Sequence, residues 1–227
     1  MSTNEFPSSL RGKLIVSCQA PPGDPLDDVD VLRRMVVSIL RGGAGGLRAN
    51  GEACIRAFRQ ETSLPIIGIL KRFGYGELYI TPDFASASAV AAAGADVLAL
   101  DCSSARPPSS EHWAGLMLRI QNELHKPVLA DIATLEEAII AEAEGADAVA
   151  TTLYGYTPET AGRRSVNWQL VERLVKEMNV PVIVEGHITR PEEVRQAFDL
   201  GAFAVVVGAA ITRPETITAR FVQAIHN

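Results

Sequence analysis

The sequence predicts an α/β fold, a single (β/α)8 TIM barrel, and three observations carry this prediction. Eight short apolar runs recur along 227 residues, so that one strand and one helix fit into about 28 residues. Each run is rich in Val, Ile and Leu without polar alternation, as in parallel strands buried on both faces. Segments with helical spacing separate the runs. A doubly wound open sheet is the alternative, but many similar units without a long insertion favour a closed barrel.

The apolar runs belong to two groups that alternate along the chain. Three begin with Gly-Ala and three begin with proline, and the spacing within each group fits two strand–helix units. The eight predicted strands lie in KLIVSCQ from Lys13, GGAGGLRAN from Gly42, PIIGILK from Pro65, GADVLALD from Gly94, PVLADIA from Pro127, GADAVATT from Gly145, PVIVEGH from Pro181 and GAFAVVVG from Gly201.

Helix signals fill the gaps between these strands. The segment from Asp27 to Leu40 carries apolar residues at helical spacing. Thr134 and Glu137 have the spacing of a capping box, in which each side chain bonds to the other residue's backbone N–H. Pro191 and Pro214 suit the first turns of the last two helices, where a missing N–H costs no hydrogen bond. We therefore expect one domain over residues 1–227, with residues 1–12 as an extension or a short capping segment.

Composition narrows the partners and the compartment. Lys and Arg number 21 and Asp and Glu number 27, for a net charge of −6, which argues against nucleic acid as the main partner. Three widely separated cysteines form neither a disulfide framework nor a zinc motif, as expected in a reducing compartment. We see neither a signal peptide nor an apolar stretch long enough to span a membrane, so we expect a cytoplasmic protein.

Nearly every predicted strand ends in a polar or ionisable residue. The carboxyl ends of barrel strands share one face, and active sites of such barrels lie there. The irregular stretches Arg72–Pro82, Ser103–Ser110 and Tyr154–Ser165 follow strands and belong to the same face. Converging charges at a barrel mouth are costly unless they are paired, so this ring indicates a polar ligand. The residues concerned are Ser17, Gln19, Arg48, Asn50, Lys71, Asp101, Asp131, Thr151, Thr152 and Glu185.

Lys71 and Glu185 are the acid–base candidates in this ring. They follow the third and seventh strands, on opposite sides of an eight-stranded barrel, so their side chains can face each other across its mouth. A lysine acts as a base only when burial or nearby positive charge lowers its pKa, and Arg72 and Arg48 lie close enough in the predicted fold to contribute.

Two glycines and one arginine indicate a phosphate site. Gly186 follows the seventh strand, Gly208 follows the eighth, and Arg213 comes five residues later. In (β/α)8 barrels these two loops often bind phosphate, because glycine lets backbone N–H groups approach the anion. The arginine fork would add charge-assisted hydrogen bonds.

We predict no metal ion and no redox cofactor. The four histidines lack metal-ligand spacing, and no glycine-rich dinucleotide motif occurs between a strand and a helix. Asp101 and Asp131 could together hold a divalent ion, but acceptors for substrate hydroxyl groups are their simpler role.

A series of short motifs in order resembles the N-acetylmannosamine-6-phosphate 2-epimerase family. These are LIVSCQA from Leu14, GLRANG from Gly46, GILKR from Gly68, YITP from Tyr79, ALD from Ala99, ADIATLEE from Ala130, TTLYGYT from Thr151, VEG from Val184 and VVVGAAITRP from Val205. The resemblance runs from about Leu14 to the C-terminus. The chain departs from the family pattern at Ala209, where Gly or Ser is expected, and in a short Arg72–Gly76 stretch.

The resemblance implies a (β/α)8 barrel that interconverts N-acetyl-D-mannosamine 6-phosphate and N-acetyl-D-glucosamine 6-phosphate without a redox cofactor. It puts Lys71 and Glu185 on the family's catalytic positions, and implies a small amino-sugar phosphate as substrate; we expect a homodimer. Its substrate-contacting positions correspond to Gln19, Arg48, Asp131 and Arg213.

Three alternatives stay open at this point. A single residue could shuttle the proton with help from the acetamido group of the substrate. The chain could be another sugar-phosphate barrel, an isomerase or a synthase. It could also be a non-catalytic barrel that senses a phosphorylated metabolite, although retention of both Lys71 and Glu185 argues against that.

Overall fold

The computed structural model of the chain describes residues 5–74 and 77–225, and it contains the predicted closed barrel. The first strand, β1 (Lys13–Cys18), pairs with β2 (Gly46–Asn50) on one side and with β10 (Ala204–Val207) on the other, so the open-sheet alternative is wrong. All eight wall strands are parallel: β1 (Lys13–Cys18), β2 (Gly46–Asn50), β3 (Ile66–Ile69), β6 (Val97–Asp101), β7 (Val128–Asp131), β8 (Ala148–Ala150), β9 (Val182–Glu185) and β10 (Ala204–Val207).

Helices surround the barrel, and their predicted start signals are confirmed. Thr134 and Glu137 form the capping box, and Pro191 and Pro214 each open a helix. In the described part of the chain no helix has the length and apolar character needed to cross a membrane. The helices are α1 (Val29–Arg41), α2 (Glu52–Arg59), α3 (Phe84–Ala92), α4 (Trp113–Arg119), α5 (Leu135–Ala143), α6 (Trp168–Glu177), α7 (Pro191–Asp199), α8 (Ala209–Thr212) and α9 (Pro214–Gln223).

The barrel wall separates two apolar layers because side chains alternate between its faces. In β3, Ile67 and Ile69 belong to the cluster inside the barrel, whereas Ile66 packs outward under the helices. Gly68 also faces outward, and a Cβ there would lie 2.4 Å from Val90 of α3. Glycine at this position therefore lets the helix approach the wall closely.

The amino-terminal end of the barrel is closed by apolar side chains. Residues Ser8–Leu10 form a 3₁₀ turn, and Leu10 is fully buried in the inner cluster with Ile15. The ring of Phe6 packs edge-on against Phe203 at 5.8 Å, and the Gly12 N–H donates to the Phe203 carbonyl at 2.8 Å. Residues 5–12, which precede β1, thus close this end of the barrel.

The stretch Arg72–Pro82, expected to be irregular, is largely a hairpin. Strands β4 (Lys71–Gly74) and β5 (Glu77–Ile80) pair antiparallel above β3, with Lys71 opposite Ile80. The sequence concealed these strands because they are short and pair only with each other. Of the short stretch noted at Arg72–Gly76, residues 75 and 76 lie outside the described residues.

Candidate active site

The alternation of β2, β7 and β9 points three charged side chains into one end of the barrel. Leu47 and Ala49 pack outward, so Arg48 between them points inward. The same parity turns Asp131 inward after Ala130 and Glu185 inward after Val184. The three side chains therefore meet at the carboxyl ends of their strands, where the sequence predicted a site.

Arg48, Asp131 and Glu185 form a buried ionic cluster. Arg48 donates to both oxygens of Asp131, at 2.9 and 2.5 Å, and to Glu185 Oε2 at 2.6 Å. The side chains of Arg48, Asp131 and Glu185 are 1%, 0% and 11% exposed, so only Glu185 keeps contact with solvent. Arg48 Nε is buried and has no hydrogen-bond partner among the described residues. Bidentate pairing of this kind fixes the orientation of the carboxylates.

Burial raises the pKa of Glu185. Arg48 opposes this shift, the negative charge of Asp131 adds to it, and Lys71 also acts to lower the pKa. A raised pKa favours the protonated form of the carboxyl, which is the form that a general acid needs.

Lys71 stands at the base of the hairpin, and its backbone is held from two sides. The Lys71 N–H donates to Asn50 Oδ1 at 2.8 Å. The carbonyl of the preceding residue, Leu70, accepts from the Thr81 N–H. Thr81 is fully buried and has φ of +48°, a strained value for a β-branched residue. No described residue accepts a hydrogen bond from the Lys71 amine.

The pKa of Lys71 is lowered from 10.5 to about 8. Burial is the main cause and the positive charge of Arg48 adds to it, while Glu185 and Asp131 pull the pKa upward. The expected contribution of Arg48 is thus present. Arg72, which was also expected to contribute, is not among these causes. Its side chain is exposed and pairs with Asp83 at 3.4 Å.

A cavity of about 670 Å³ opens beside the cluster. Lys71 and Glu185 both line it, and each affects the pKa of the other. Arg48 and Asp131 are buried and do not line it. Of the residues predicted from the sequence, the cavity wall contains Ser17, Gln19, Lys71, Thr152, Glu185, Gly186, Gly208 and Arg213.

The glycines and arginine of the predicted phosphate site lie on one wall of the cavity. Gly186 has φ of +95°, a conformation that favours glycine, and Gly208 precedes the four-residue helix α8. Arg213 Nη2 pairs with Asp24 Oδ2 at 2.8 Å. The same nitrogen lies 3.8 Å from Oε2 of the exposed Glu215, so the buried Asp24 is the closer of two carboxylate partners. The sequence gave no reason to expect the pairing with Asp24. Ala209, the departure from the family pattern, also lines the wall.

Gln19 and the remaining strand-end carboxylate have contrasting surroundings. Gln19 lines the cavity and donates from Nε2 to Ser17 Oγ at 2.7 Å. Asp101 instead accepts from the N–H and the hydroxyl of Ser103, at 2.9 and 2.7 Å. With both Asp131 oxygens bonded to Arg48, the pair considered as metal ligands is engaged with other partners. Within residues 5–74 and 77–225, no group of three His, Cys, Asp or Glu residues could hold a metal ion.

Several residues at the cavity had little or no signal in the sequence, where His187 was distinguished only by its place two residues after Glu185. The ring of His187 stacks on Tyr156 at 5.4 Å, and its Nε2 lies 2.8 Å from the Tyr154 carbonyl oxygen. Arg164 and Arg220 also reach the cavity wall from distant parts of the chain. Only the tertiary structure brings the two arginines to the cavity, so spacing along the chain could not identify them.

The comparisons with known proteins agree with this architecture. Residues 32–227 match the family model described as "NanE: Putative N-acetylmannosamine-6-phosphate epimerase". A relative from Clostridium perfringens named as a 2-epimerase of this type is 44% identical over 93% of this chain and 96% of its own length. A Synechococcus elongatus relative with the same name is 45% identical over 96% and 95%.

A solved structure extends this agreement to three dimensions. It is the N-acetylmannosamine-6-phosphate 2-epimerase from Clostridium perfringens, with a TM-score of 0.91, 42% identity and coverage of 95% of this chain and 94% of the other. Such similarity over nearly the whole length confirms the resemblance in the sequence motifs. The chain belongs to the N-acetylmannosamine-6-phosphate epimerase family.

Proposed function

We propose that the chain is an isomerase that interconverts N-acetyl-D-mannosamine 6-phosphate and N-acetyl-D-glucosamine 6-phosphate in amino-sugar and sialic acid catabolism. The observation that carries this proposal is the pair Lys71 and Glu185, which line one cavity with their pKa values shifted towards neutrality. Family membership supports the substrate, because the relatives are named for this 2-epimerase activity.

The chemistry requires removal and return of the proton on C2. In the ring-opened sugar, C1 is an aldehyde and C2 is its α-carbon, so loss of the C2 proton gives a stabilised enolate. We assign Lys71 as the base on one face, neutral when it acts, and Glu185 as the acid on the other. The reverse reaction uses the same groups with exchanged roles, so atoms and charges balance without an oxidant or reductant.

The substrate contacts follow from the walls of the cavity. We assign the 6-phosphate to the side bearing Gly186, Gly208 and Arg213, where a positive charge and backbone N–H groups suit an anion. Gln19 is our candidate for a direct contact to the sugar. The predicted substrate contacts of Arg48 and Asp131 stay predictions, and their buried pairing with Glu185 supports a role in holding that carboxylate.

We infer a homodimer from the carboxyl-terminal helix. Helix α9 has no buried residue, and Phe221 is 74% exposed. Val222 and Ile225 extend this apolar surface, at 47% and 77% exposure. A second copy of the chain would cover side chains whose exposure costs free energy. Phe221→Asp should convert the dimer to a monomer in sedimentation velocity, and a wild-type chain that sediments as a monomer contradicts the inference.

We also infer a cytoplasmic location, which the three free cysteines support.

The proposed epimerisation uses proton transfers alone and requires no metal or nicotinamide.

The function is tested by adding pure N-acetylmannosamine 6-phosphate to the protein and following the appearance of the gluco epimer by NMR. We expect conversion to an equilibrium mixture from either epimer, with no change after treatment with EDTA. No conversion from either side contradicts the function. Loss of activity in EDTA and its return with a divalent ion would instead reopen Asp101 and Asp131 as metal ligands.

A further inference from the structure

Thr152 contacts both carboxylates of the buried cluster. It lies in the 3₁₀ turn Thr151–Leu153 that follows β8. Its Oγ1 is 2.7 Å from Asp131 Oδ1 and 3.1 Å from Glu185 Oε2. Arg48 Nη1 donates to Thr152 Oγ1 at 3.4 Å. The hydroxyl is therefore shared among all members of the ionic cluster.

A threonine hydroxyl has one proton, so it can donate to only one of these carboxylates at a time. Arg48 Nη1 is a donor whose two hydrogens bond more closely to Asp131 and Glu185, and it cannot accept the hydroxyl proton. The hydroxyl proton is therefore directed towards the acidic side chains. Two arrangements satisfy the geometry, one with the proton on the line to Glu185 and one with it on the line to Asp131. Rotation about a single bond interconverts them.

We infer that Thr152 is a positioning residue for Glu185: its hydroxyl donates to Glu185 while that side chain is ionised and to Asp131 while Glu185 is neutral. This inference rests on the proposed function, in which Glu185 passes through both states. In each state Arg48 continues to hold Oε2. Oε1, which has no hydrogen-bond partner among the described residues, is left for the proton of the substrate.

The hydroxyl is one of several groups that set the charge state of Glu185. The charged groups that face Glu185 are Arg48 from β2, Lys71 from β4 and Asp131 from β7. All of them remain when Thr152 is replaced by valine, which has nearly the same shape. A hydrogen bond to the ionised form lowers the pKa of Glu185, so its removal raises that pKa.

The test is a ¹³C NMR titration of glutamate side-chain carboxyls, with Glu185→Gln used to assign the resonance. Thr152→Val should raise the pKa of Glu185 by about one pH unit, as expected for loss of a hydrogen bond to a charged group. Thr152→Ser keeps the hydroxyl and should restore the wild-type pKa. Thr151→Val is the matched control, because the Thr151 hydroxyl bonds to the backbone of Glu185 and not to its carboxylate.

The kinetic readout is the direction of reaction in which Glu185 is the base. Thr152→Val should lower kcat about tenfold on the acid limb, where the ionised fraction falls, and leave KM unchanged. If the valine variant does not melt cooperatively, Thr152→Ala provides the same titration. A wild-type pKa of Glu185 in the variant lacking the hydroxyl overturns the inference. Because the titration needs no turnover, absence of epimerase activity would refute the proposed function without deciding this point.

Discussion

The two ends of the barrel solve opposite problems. At the amino-terminal end, Phe6 and Leu10 close the interior with apolar surface, so that burial stabilises the fold. At the carboxyl end, Arg48 and two carboxylates occupy the same interior, where charge is costly unless paired. From this difference we expect one end to contribute mainly to stability and the other to hold the proposed chemistry, as is general in this fold.

Ionic groups outside the cavity differ from Lys71 in their hydrogen bonding. Asp96 is paired with Arg59, and it also accepts the Ile66 N–H at 2.8 Å, so it fixes the start of β3. Arg59 also donates to backbone carbonyls of the loop that precedes β3. Beside the cavity, by contrast, the amine of Lys71 has no hydrogen-bond acceptor among the described residues. The free group is the one available to a substrate.

The largest expected effect is the loss of turnover in Lys71→Ala. General acid–base catalysis contributes about 10²–10⁴-fold, and kcat should fall by that factor. Substrate binding should persist, because the phosphate wall is untouched. The melting temperature should not fall, since removing a buried amine without a partner relieves desolvation. Steady-state kinetics with calorimetric binding tests this, and full activity would move the role of base to Glu185 alone.

Leu10→Ala addresses the opposite end. Truncating a fully buried leucine leaves a cavity and should lower the free energy of unfolding by about 2–5 kcal/mol, measured by urea denaturation. Below the melting transition kcat and KM should match the wild type. A drop in kcat in the folded variant would show that the two ends are coupled, contrary to this division of roles.

Arg213→Ala should affect binding more than turnover. A charge-assisted hydrogen bond contributes about 1.5–3 kcal/mol, so KM for the 6-phosphate should rise roughly tenfold to a hundredfold. Asp24→Asn is the control, because it removes the ionic partner of Arg213 and keeps the guanidinium. An equal loss in both variants would mean that Arg213 serves to hold the Asp24 loop, and an unchanged KM in Arg213→Ala would remove it from the site.

The smallest effect concerns pH. Lys71 must be neutral to act as a base, and its pKa is about 8. In the direction where Lys71 is the base, kcat should fall about tenfold for each pH unit below that value. The same lowered pKa means that the unfolded chain binds more protons between about 8 and 10.5, so this group adds stability as pH rises through that window. A kcat that is flat from pH 6 to 8 would exclude Lys71 as the titrating base.

The strands were predictable because each is an apolar run buried on two faces, a pattern that needs no knowledge of its neighbours. The hairpin at Lys71 was not, because its strands are short and bond only to each other. Arg72 was expected to act on Lys71 because it is adjacent in sequence. Successive side chains of a strand point to opposite faces, so adjacency along the chain did not bring the two charges together.

The charged members of the site were predictable from their places at strand ends, whereas their pairing was not. Which carboxylate accepts from Arg48 depends on the parity of three separate strands and on the radius of the barrel. Thr152 appeared in the sequence only as one more polar strand end, although its hydroxyl contacts two carboxylates. Tertiary distances of this kind leave no trace in residue spacing.

In the proposed mechanism the C2 proton leaves and returns through side chains that exchange with water. The most direct measurement is epimerisation in D₂O, followed by NMR analysis of C2 in the product. We expect deuterium at C2 of the epimerised sugar. Product with hydrogen retained at C2 would contradict the assignment of Lys71 and Glu185 to opposite faces, because only a single residue that shuttles the proton can return it without exchange.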